Sequence, residues 1–201
     1  MDRHGWNQRY DAAELVWTAG PNATFAAATE GLEVGSALDL GAGEGRNAIW
    51  LASRGWAATA VDFSDVALDK ANLLAAHAGV EVETVVADVA EYVPATEFDL
   101  VAVIYLHLSA SIRTAVYRRA AQAVAPGGTL IVLGHDATNI AEGYGGPQDP
   151  DVLFAPDDVV TDISNTGLVV ERSERVRREV HAGDGEHVAI DALLVARRPP
   201  G

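Results

Sequence analysis

The feature that most constrains the fold is an alternation of short apolar segments with amphipathic ones over residues 36–136. Five strand candidates occur, namely "SALDLG", "WAATAVDFS", "VEVETVVAD", "EFDLVAVIY" and "GGTLIVLGHD". The last two are almost continuously apolar, which is typical of parallel strands that are covered on both faces. Helix-like segments lie between several of these strands. The alternation therefore predicts a doubly wound, Rossmann-like α/β fold with right-handed crossovers.

The remaining elements complete this fold. "RNAIWLASRG" reads as a helix that stops at Gly55, Ser64 can cap a second helix, and residues 111–124 give a third. The second helix presents an inward side formed by Val66, Leu68, Ala71, Leu74 and Ala75. Pro156 indicates a further helix start, and residues 168–176 and 188–196 read as an antiparallel strand pair. We expect a seven-stranded sheet that is mostly parallel, with an antiparallel C-terminal strand.

Composition limits the classes of protein to consider. With 201 residues, of which 49% are hydrophobic, the chain is long enough for one domain with a substantial core. No apolar run approaches the roughly 18 residues of a membrane span, and the first residues lack a signal-peptide core, so we expect a cytoplasmic protein. The absence of cysteine excludes disulfides and thiolate chemistry.

The charge argues against a nucleic-acid partner. A formal net charge of −15 opposes binding to a polyphosphate backbone. The basic stretch "ERVRREV", residues 174–180, is the local exception, and we interpret it as the solvated face of a strand.

A glycine-rich loop, "DLGAGEGRNAIW" at residues 39–50, follows the first strand. Three glycines let a ligand lie directly against the backbone. Asp62 ends the second strand a little over 20 positions beyond this loop, where an acid can bind ribose hydroxyls. This spacing predicts an adenosine-containing ligand at the carboxyl ends of the strands. A dinucleotide is disfavoured, because Arg46 stands where the dinucleotide fingerprint requires its third glycine.

The loop resembles motif I of the class I S-adenosylmethionine-dependent methyltransferases, in which an acid precedes Gly-x-Gly-x-Gly. The resemblance runs over residues 36–134, through "DLGAGEG", "AVDFS", "VVADV", "EFDLVAVIYLHL" and "APGGTLIV". Within that superfamily, "GEGRNAIWLASRGW" looks like the small-molecule branch that includes tellurite-resistance and thiol methyltransferases. The resemblance implies S-adenosylmethionine as cofactor and S-adenosylhomocysteine as product.

The resemblance also implies roles for individual residues. Asp39 and the loop would lie against the methionine part of the cofactor, Asp62 would bind the ribose, and Asp88 would accept from the adenine amino group. The full candidate set for the cofactor is Asp39, Gly41, Ala42, Gly43, Arg46, Asp62, Phe63, Asp88, Val89 and Tyr105. Arg46 faces the positive end of a helix dipole, which costs about 0.3–1 kcal/mol, so it needs an acidic partner. The cofactor carboxylate and a surface pairing with Glu44 are equally good candidates.

Histidines are the candidates for a base. His107 and His135 follow the fourth and fifth strands, and histidine titrates near neutral pH. A structural hydrogen bond is the simpler interpretation of each. His181 and His187 lie in the terminal hairpin, and the alignment is too loose to choose between them. We predict no metal site, since Asp136 and Asn139 form half a site at best.

The sequence thus predicts one methyltransferase domain over residues 1–201. Residues 1–30 would form a helical lid with Trp6, Tyr10, Trp17 and Phe25, residues 36–134 the cofactor-binding core, and residues 135–201 the substrate-side loop and hairpin. Tyr144, in the glycine-containing loop "EGYGGPQDP", would pack on the acceptor. The expected partner is a small-molecule substrate, with a homodimer left open. The alternative function is a regulator that binds S-adenosylmethionine without turnover.

Overall fold

The computed structural model describes residues 2–16, 18, 20–183 and 185–201. Within these residues one sheet contains β1 (Ser36–Leu40), β2 (Ala57–Asp62), β3 (Glu83–Val86), β4 (Phe98–Ile104), β5 (Val124–His135), β6 (Val169–Ala182) and β7 (Gly185–Arg197). The helices are α1 (Arg3–Asp11), α2 (Ala23–Ala28), α3 (Arg46–Ser53), α4 (Asp65–Ala78), α5 (Ala110–Gln122), α6 (Asn139–Glu142) and α7 (Pro156–Asp162), with a 3-10 turn at Pro150–Val152.

The strand order confirms the predicted fold. It is β3-β2-β1-β4-β5-β7-β6, and β1 to β5 are parallel. β7 is inserted antiparallel between β5 and β6. The order reverses between β1 and β4, and the carboxyl ends of strands at such a point are where ligands bind in open α/β sheets.

Two apolar clusters cover the sheet, one on each face. The first packs α5 and α7 through residues such as Tyr117 and Val159. The second packs α2, α3 and α4 through Phe25, Leu51 and Leu68. Both faces of the central strands are therefore buried, which explains why β4 and β5 are almost continuously apolar in sequence.

The observed boundaries differ from the predicted ones where tertiary pairing decides them. β3 ends at Val86, so Asp88 lies two residues beyond the strand. β5 begins at Val124, earlier than predicted, because its pairing with β4 tolerates an irregularity around Pro126. The hairpin strands β6 and β7 are longer than predicted, since pairing continues almost to their turn.

No helix in the described ranges is long and apolar enough to cross a membrane.

Candidate functional site

The glycine loop after β1 has backbone conformations that favour glycine. Gly41, Gly43 and Gly45 have φ angles of 75°, 55° and 75°. The N–H groups of Gly41 and Ala42 both donate to the carbonyl oxygen of Val61, at 2.8 and 3.0 Å. The loop is thus fastened to the end of β2, and left-handed backbone at every second position explains the alternating glycines.

Asp62 holds the two strand ends together. Its carboxylate accepts from the N–H of Gly43 at 2.8 Å and from the N–H of Ser64 at 2.9 Å. Burial raises the pKa of Asp62, and these backbone hydrogen bonds oppose the rise. Each carboxylate oxygen can accept a second hydrogen bond, so the bonds to the backbone leave room for ligand hydroxyl donors. Phe63, half-buried, lies directly beside this carboxylate in sequence.

Asp39, on β1, is a buried acid with an unused oxygen. It is 2% exposed, and within the described part of the chain its Oδ2 has no hydrogen-bond partner. Burial raises the pKa of Asp39 to about 7, with Arg46 acting in the opposite direction. A buried, unpartnered carboxylate oxygen is costly and is suited to a cationic or hydrogen-bonding group of a ligand.

Arg46 lies at the start of α3 on the same side. Burial lowers its pKa, while Tyr105 and Asp39 act to raise it. Its Nη1 donates to Oγ1 of Thr18 at 3.2 Å. An arginine that is partly desolvated among these groups is well placed to bind an anionic part of a ligand.

The predicted surface pairing of Glu44 is wrong in one respect, because Glu44 is not at the surface. It is 3% exposed, and its carboxylate accepts from the N–H of Val16 at 3.0 Å. Nζ of Lys70 lies 3.4 Å from Oε1 of Glu44 and also donates to the carbonyl oxygens of Tyr10 and Ala13. Glu44 and Lys70 therefore anchor the N-terminal segment to the glycine loop.

The rest of the predicted lid has two different environments. Phe25 of α2 is fully buried and packs edge-on against Trp50 in the core. α1 lies over the start of α4, where Oγ of Ser64 donates to Oδ1 of Asn7 at 2.6 Å. Trp6 and Tyr10 stack with their ring centroids 5.5 Å apart, and Trp17 lies outside the described residues. A lid therefore stays a prediction for the segment around α1.

Asp88 and Val89 follow β3 on the same edge of the sheet. Asp88 is exposed, and its Oδ1 accepts from the N–H of Ala90 at 2.8 Å, which fixes a local turn. Val89 is buried against the core. The predicted contact of Asp88 with adenine stays a prediction.

Tyr105, just after β4, is the central side chain of a second wall of the site, opposite the glycine loop. It has φ 56° although it is not glycine, a conformation that surrounding contacts must hold. Its hydroxyl donates to Oδ2 of Asp191 at 2.6 Å and accepts from Nε of Arg178 at 3.0 Å and Nδ2 of Asn22 at 3.4 Å. One phenol thereby joins the N-terminal segment, β4, β6 and β7.

His107 and His135 lie beside this tyrosine. Their rings are nearly parallel, with centroids 5.3 Å apart. Burial, followed by the proximity of His135, lowers the pKa of His107 to about 4. The structure thus brings both predicted histidines together, but in different electrostatic settings.

Arg178 and Asp191 are the site residues that the sequence analysis missed. Arg178 belongs to the stretch interpreted as a solvated face, yet its side chain is only 25% exposed and lies 2.7 Å from Oδ2 of Asp191. Asp191 is 0% exposed. Two signals could have found them: an aspartate inside the apolar run "VAIDALLVA", and the period of two that places Arg178 on the same side as Val176 and Val180.

The loop that carries Tyr144 closes the outer side of this wall. Tyr144 stacks on His187 with centroids 3.8 Å apart, whereas His181 is exposed at the tip of the hairpin. A Cβ at Gly146 would lie 2.6–2.8 Å from three atoms of the His135 ring. This loop therefore packs directly against His135.

The side chains of Asp136 and Asn139 accept hydrogen bonds that hold neighbouring segments together. Asp136 accepts from Thr138 and Arg175, and Asn139 accepts from the N–H of Ile190. Among the described residues there is no group of three or more His, Cys, Asp or Glu side chains placed to hold a metal ion.

Comparisons with known proteins agree with this geometry. Residues 37–128 match the family model described as methyltransferase domain. TehB from Haemophilus influenzae is similar in structure, with a TM-score of 0.75 and 16% identity over 90% of this chain and 63% of that one. The N-methyltransferase NodS from Bradyrhizobium japonicum, solved with S-adenosyl-L-homocysteine, has a TM-score of 0.71 and 19% identity over 99% of this chain and 100% of that one.

A third similar structure concerns the conversion of a disulfide bond into a thioacetal group during echinomycin biosynthesis. Its TM-score is 0.73, with 21% identity over 90% of this chain and 82% of that one. At these identities the solved structures show the shared fold. No curated protein matches the sequence significantly.

The match of residues 37–128 to a methyltransferase domain and the fold shared with the solved structures agree with the resemblance in motif I.

Proposed function

We propose that this protein transfers the methyl group of S-adenosylmethionine to a small-molecule acceptor, either a thiol, a chalcogen oxyanion, a hydroxyl or an amine. The proposal rests on two groups of side chains that lie where the strand order of the sheet reverses. One wall holds the buried acids Asp39 and Asp62 beside the glycine loop, and the other holds Tyr105, His107 and His135.

The residues of the first wall suit the cofactor. The unused Oδ2 of Asp39 suits its ammonium group, Arg46 suits its carboxylate, and Asp62 suits the ribose hydroxyls. Asp88 and Val89 would border the adenine. When bound, S-adenosylmethionine supplies a methyl group on an already activated sulfonium. The protein then needs mainly to align the acceptor and to exclude water.

The second wall suits a small acceptor. Its polar groups are internally paired, since Tyr105, Arg178 and Asp191 bind one another, and the rings of Tyr105 and His135 pack with their centroids 4.9 Å apart. The similar structures include TehB and the N-methyltransferase NodS, so the shared fold does not specify one acceptor. The chemical identity of the acceptor atom is therefore the property to test first.

The test is a labelled-methyl transfer assay with thiols, phenols, amines, selenite and tellurite as acceptors. Turnover with any of them supports the proposal and identifies the acceptor atom. Binding of S-adenosylhomocysteine without turnover on any acceptor would instead indicate a noncatalytic regulator.

A thermal-shift measurement tests the cofactor separately. S-adenosylhomocysteine should stabilise the protein and NADH should not, because a ligand that binds only the native state raises apparent stability. Asp62→Ala should remove most of this shift. A larger shift with NADH would contradict the assignment. A cytoplasmic location and a homodimer stay predictions, which cell fractionation and light scattering can test.

A further inference from the structure

Asp191 is a buried carboxylate with three different partners. It lies on β7 directly opposite His135 of β5 in the sheet register. Tyr105 and Arg178 bind its Oδ2, and Nδ1 of His135 lies 3.2 Å from its Oδ1. Burial alone would raise the pKa of Asp191, but the contacts with His135, Arg178 and Tyr105 outweigh burial and lower it. Asp191 is therefore ionised.

This carboxylate determines which nitrogen of His135 carries the proton. Nδ1 is buried and faces Oδ1 of Asp191, although the alignment falls short of a hydrogen bond. A lone pair on Nδ1 would face a negative charge, so the neutral ring carries its proton there. Nε2 then has a free lone pair that can accept a proton. The His135 side chain is 12% exposed, so it is covered but not sealed from the cleft.

His107 is less suited to accept a proton. Its Nε2 already accepts from the backbone N–H of His135 at 3.4 Å. Burial and the neighbouring His135 favour its neutral form, with a pKa of about 4. His107 therefore supports His135 from one side, while Gly146 packs against the ring and limits its movement.

We propose that Asp191 is a positioning residue that orients His135 as the general base, and that the acceptor loses a proton from a thiol or hydroxyl group to Nε2 of His135. The inference rests on the proposed function and specifies the chemistry of the same site. As the proton moves to Nε2, the electron pair of the broken X–H bond stays on the acceptor atom and forms the bond to the methyl carbon. The electron pair of the broken C–S bond stays on sulfur, which gives neutral S-adenosylhomocysteine, and the imidazolium later returns its proton to water.

The groups that face His135 come from several elements. They are Tyr105 and His107 after β4, Asp191 on β7 and, through Asp191, Arg178 on β6. Among them Asp191 is the one whose charge directly favours a proton on His135. Removal of that charge should weaken His135 as a base.

The experiment compares Asp191→Asn and His135→Gln with the parent protein. With a thiol acceptor below the pH at which it ionises by itself, His135→Gln should lower kcat by about 10²–10⁴-fold and Asp191→Asn by about 10²-fold. KM for the acceptor should change little. The deficit should shrink as the pH approaches the range in which the thiol ionises unaided.

A measurement without turnover addresses the positioning role directly. In the free protein, nitrogen NMR of the His135 ring should show the proton of the neutral ring on Nδ1, and Asp191→Asn should reduce the fraction of molecules with the proton there. Asp136→Asn is the matched control, because Asp136 is also 0% exposed and adjacent to His135 in sequence. The control should leave the proton on Nδ1.

The two proposals fail in different ways. If the parent protein transfers methyl groups but His135→Gln has the parental kcat at every pH, the inference is overturned and the proposed function stands. If the parent shows no turnover, the proposed function fails, and an unchanged proton position on the His135 ring in Asp191→Asn would overturn the positioning role as well. Should Asp191→Asn fail to fold by circular dichroism, the pH profile of His135→Gln decides the role of the base, and the parent protein tests the role of Asp191, since a ring proton on Nε2 of His135 would overturn it.

Discussion

Replacement of Asp39 by Asn should make the free protein more stable at alkaline pH. The folded protein keeps a proton on Asp39 up to a pKa of about 7, because burial disfavours the charge. In the unfolded chain an aspartate loses its proton near pH 3.9. The parent therefore loses stability as pH rises between these two values, and Asn, which has nearly the same shape and no charge, does not.

The magnitude follows from the width of that window. Between the unfolded and the folded pKa of Asp39, the free energy of unfolding of the parent falls by about 1.4 kcal/mol per pH unit. About two pH units of this range lie between pH 5 and pH 7. Between pH 5 and pH 8 the free energy of unfolding of Asp39→Asn should rise by about 3 kcal/mol relative to that of the parent. The comparison between the two pH values cancels any constant cost of the substitution.

Urea unfolding followed by circular dichroism, without ligand, measures this difference. Asp69→Asn is the control, because Asp69 is exposed on α4 and its substitution should shift stability by less than about 0.5 kcal/mol at both pH values. If Asp39→Asn differs from the parent equally at pH 5 and pH 8, the argument from burial is wrong. If Asp39→Asn is more stable than the parent and also loses the thermal shift with S-adenosylhomocysteine, then the Asp39 carboxylate serves ligand binding and lowers the stability of the free protein.

Three further outcomes are expected. Gly146→Ala should lower the rate of methyl transfer by about 10²-fold, because its Cβ would displace the His135 ring. Gly145→Ala is the control: Gly145 has a similar φ but open space around its Cα, so this substitution should mainly lower stability. Equal transfer rates in the two variants would refute the role of the loop. Lys70→Met should speed hydrogen exchange in residues 2–16, because Lys70 binds backbone carbonyls of that segment. If α1 is a lid, S-adenosylhomocysteine should slow exchange in the same residues of the parent protein. Unchanged exchange in both experiments would mean that the segment is simply packed on the fold. Transfer should survive EDTA, and loss of activity that Mg²⁺ restores would overturn the metal-free mechanism.

The fold could be predicted because its signals are local. Most of the parallel strands are short apolar runs, and α4 begins after a local start residue, Ser64, whose hydroxyl caps the helix as expected. The glycine loop and Asp62 were also recognisable, because the loop directly follows β1 and Asp62 is the last residue of β2. Parallel strands bring such ends to one edge of the sheet without further information.

The acceptor wall could not be predicted in the same way. Tyr105 and Asp191 are 86 positions apart, and Tyr105 and Arg178 are 73 apart. Their contact depends on the insertion of β7 between β5 and β6 and on a register that no local pattern specifies. The burial of Glu44 has a similar cause, since a segment 28 residues earlier folds back over it.

The position of β7 in the sheet also determines when the site can be completed during protein synthesis. β7 is the last of the described strands to be made, yet it occupies an interior position in the sheet. At about 5–20 residues per second, the 86 positions between Tyr105 and Asp191 take about 4–17 s to translate. From the completion of β5 until β7 pairs with it, the nascent chain carries a bare β5 edge, which is a site for pairing with other strands. The glycine loop can fold early, but a growing chain has no complete acceptor wall until its final hairpin closes that edge.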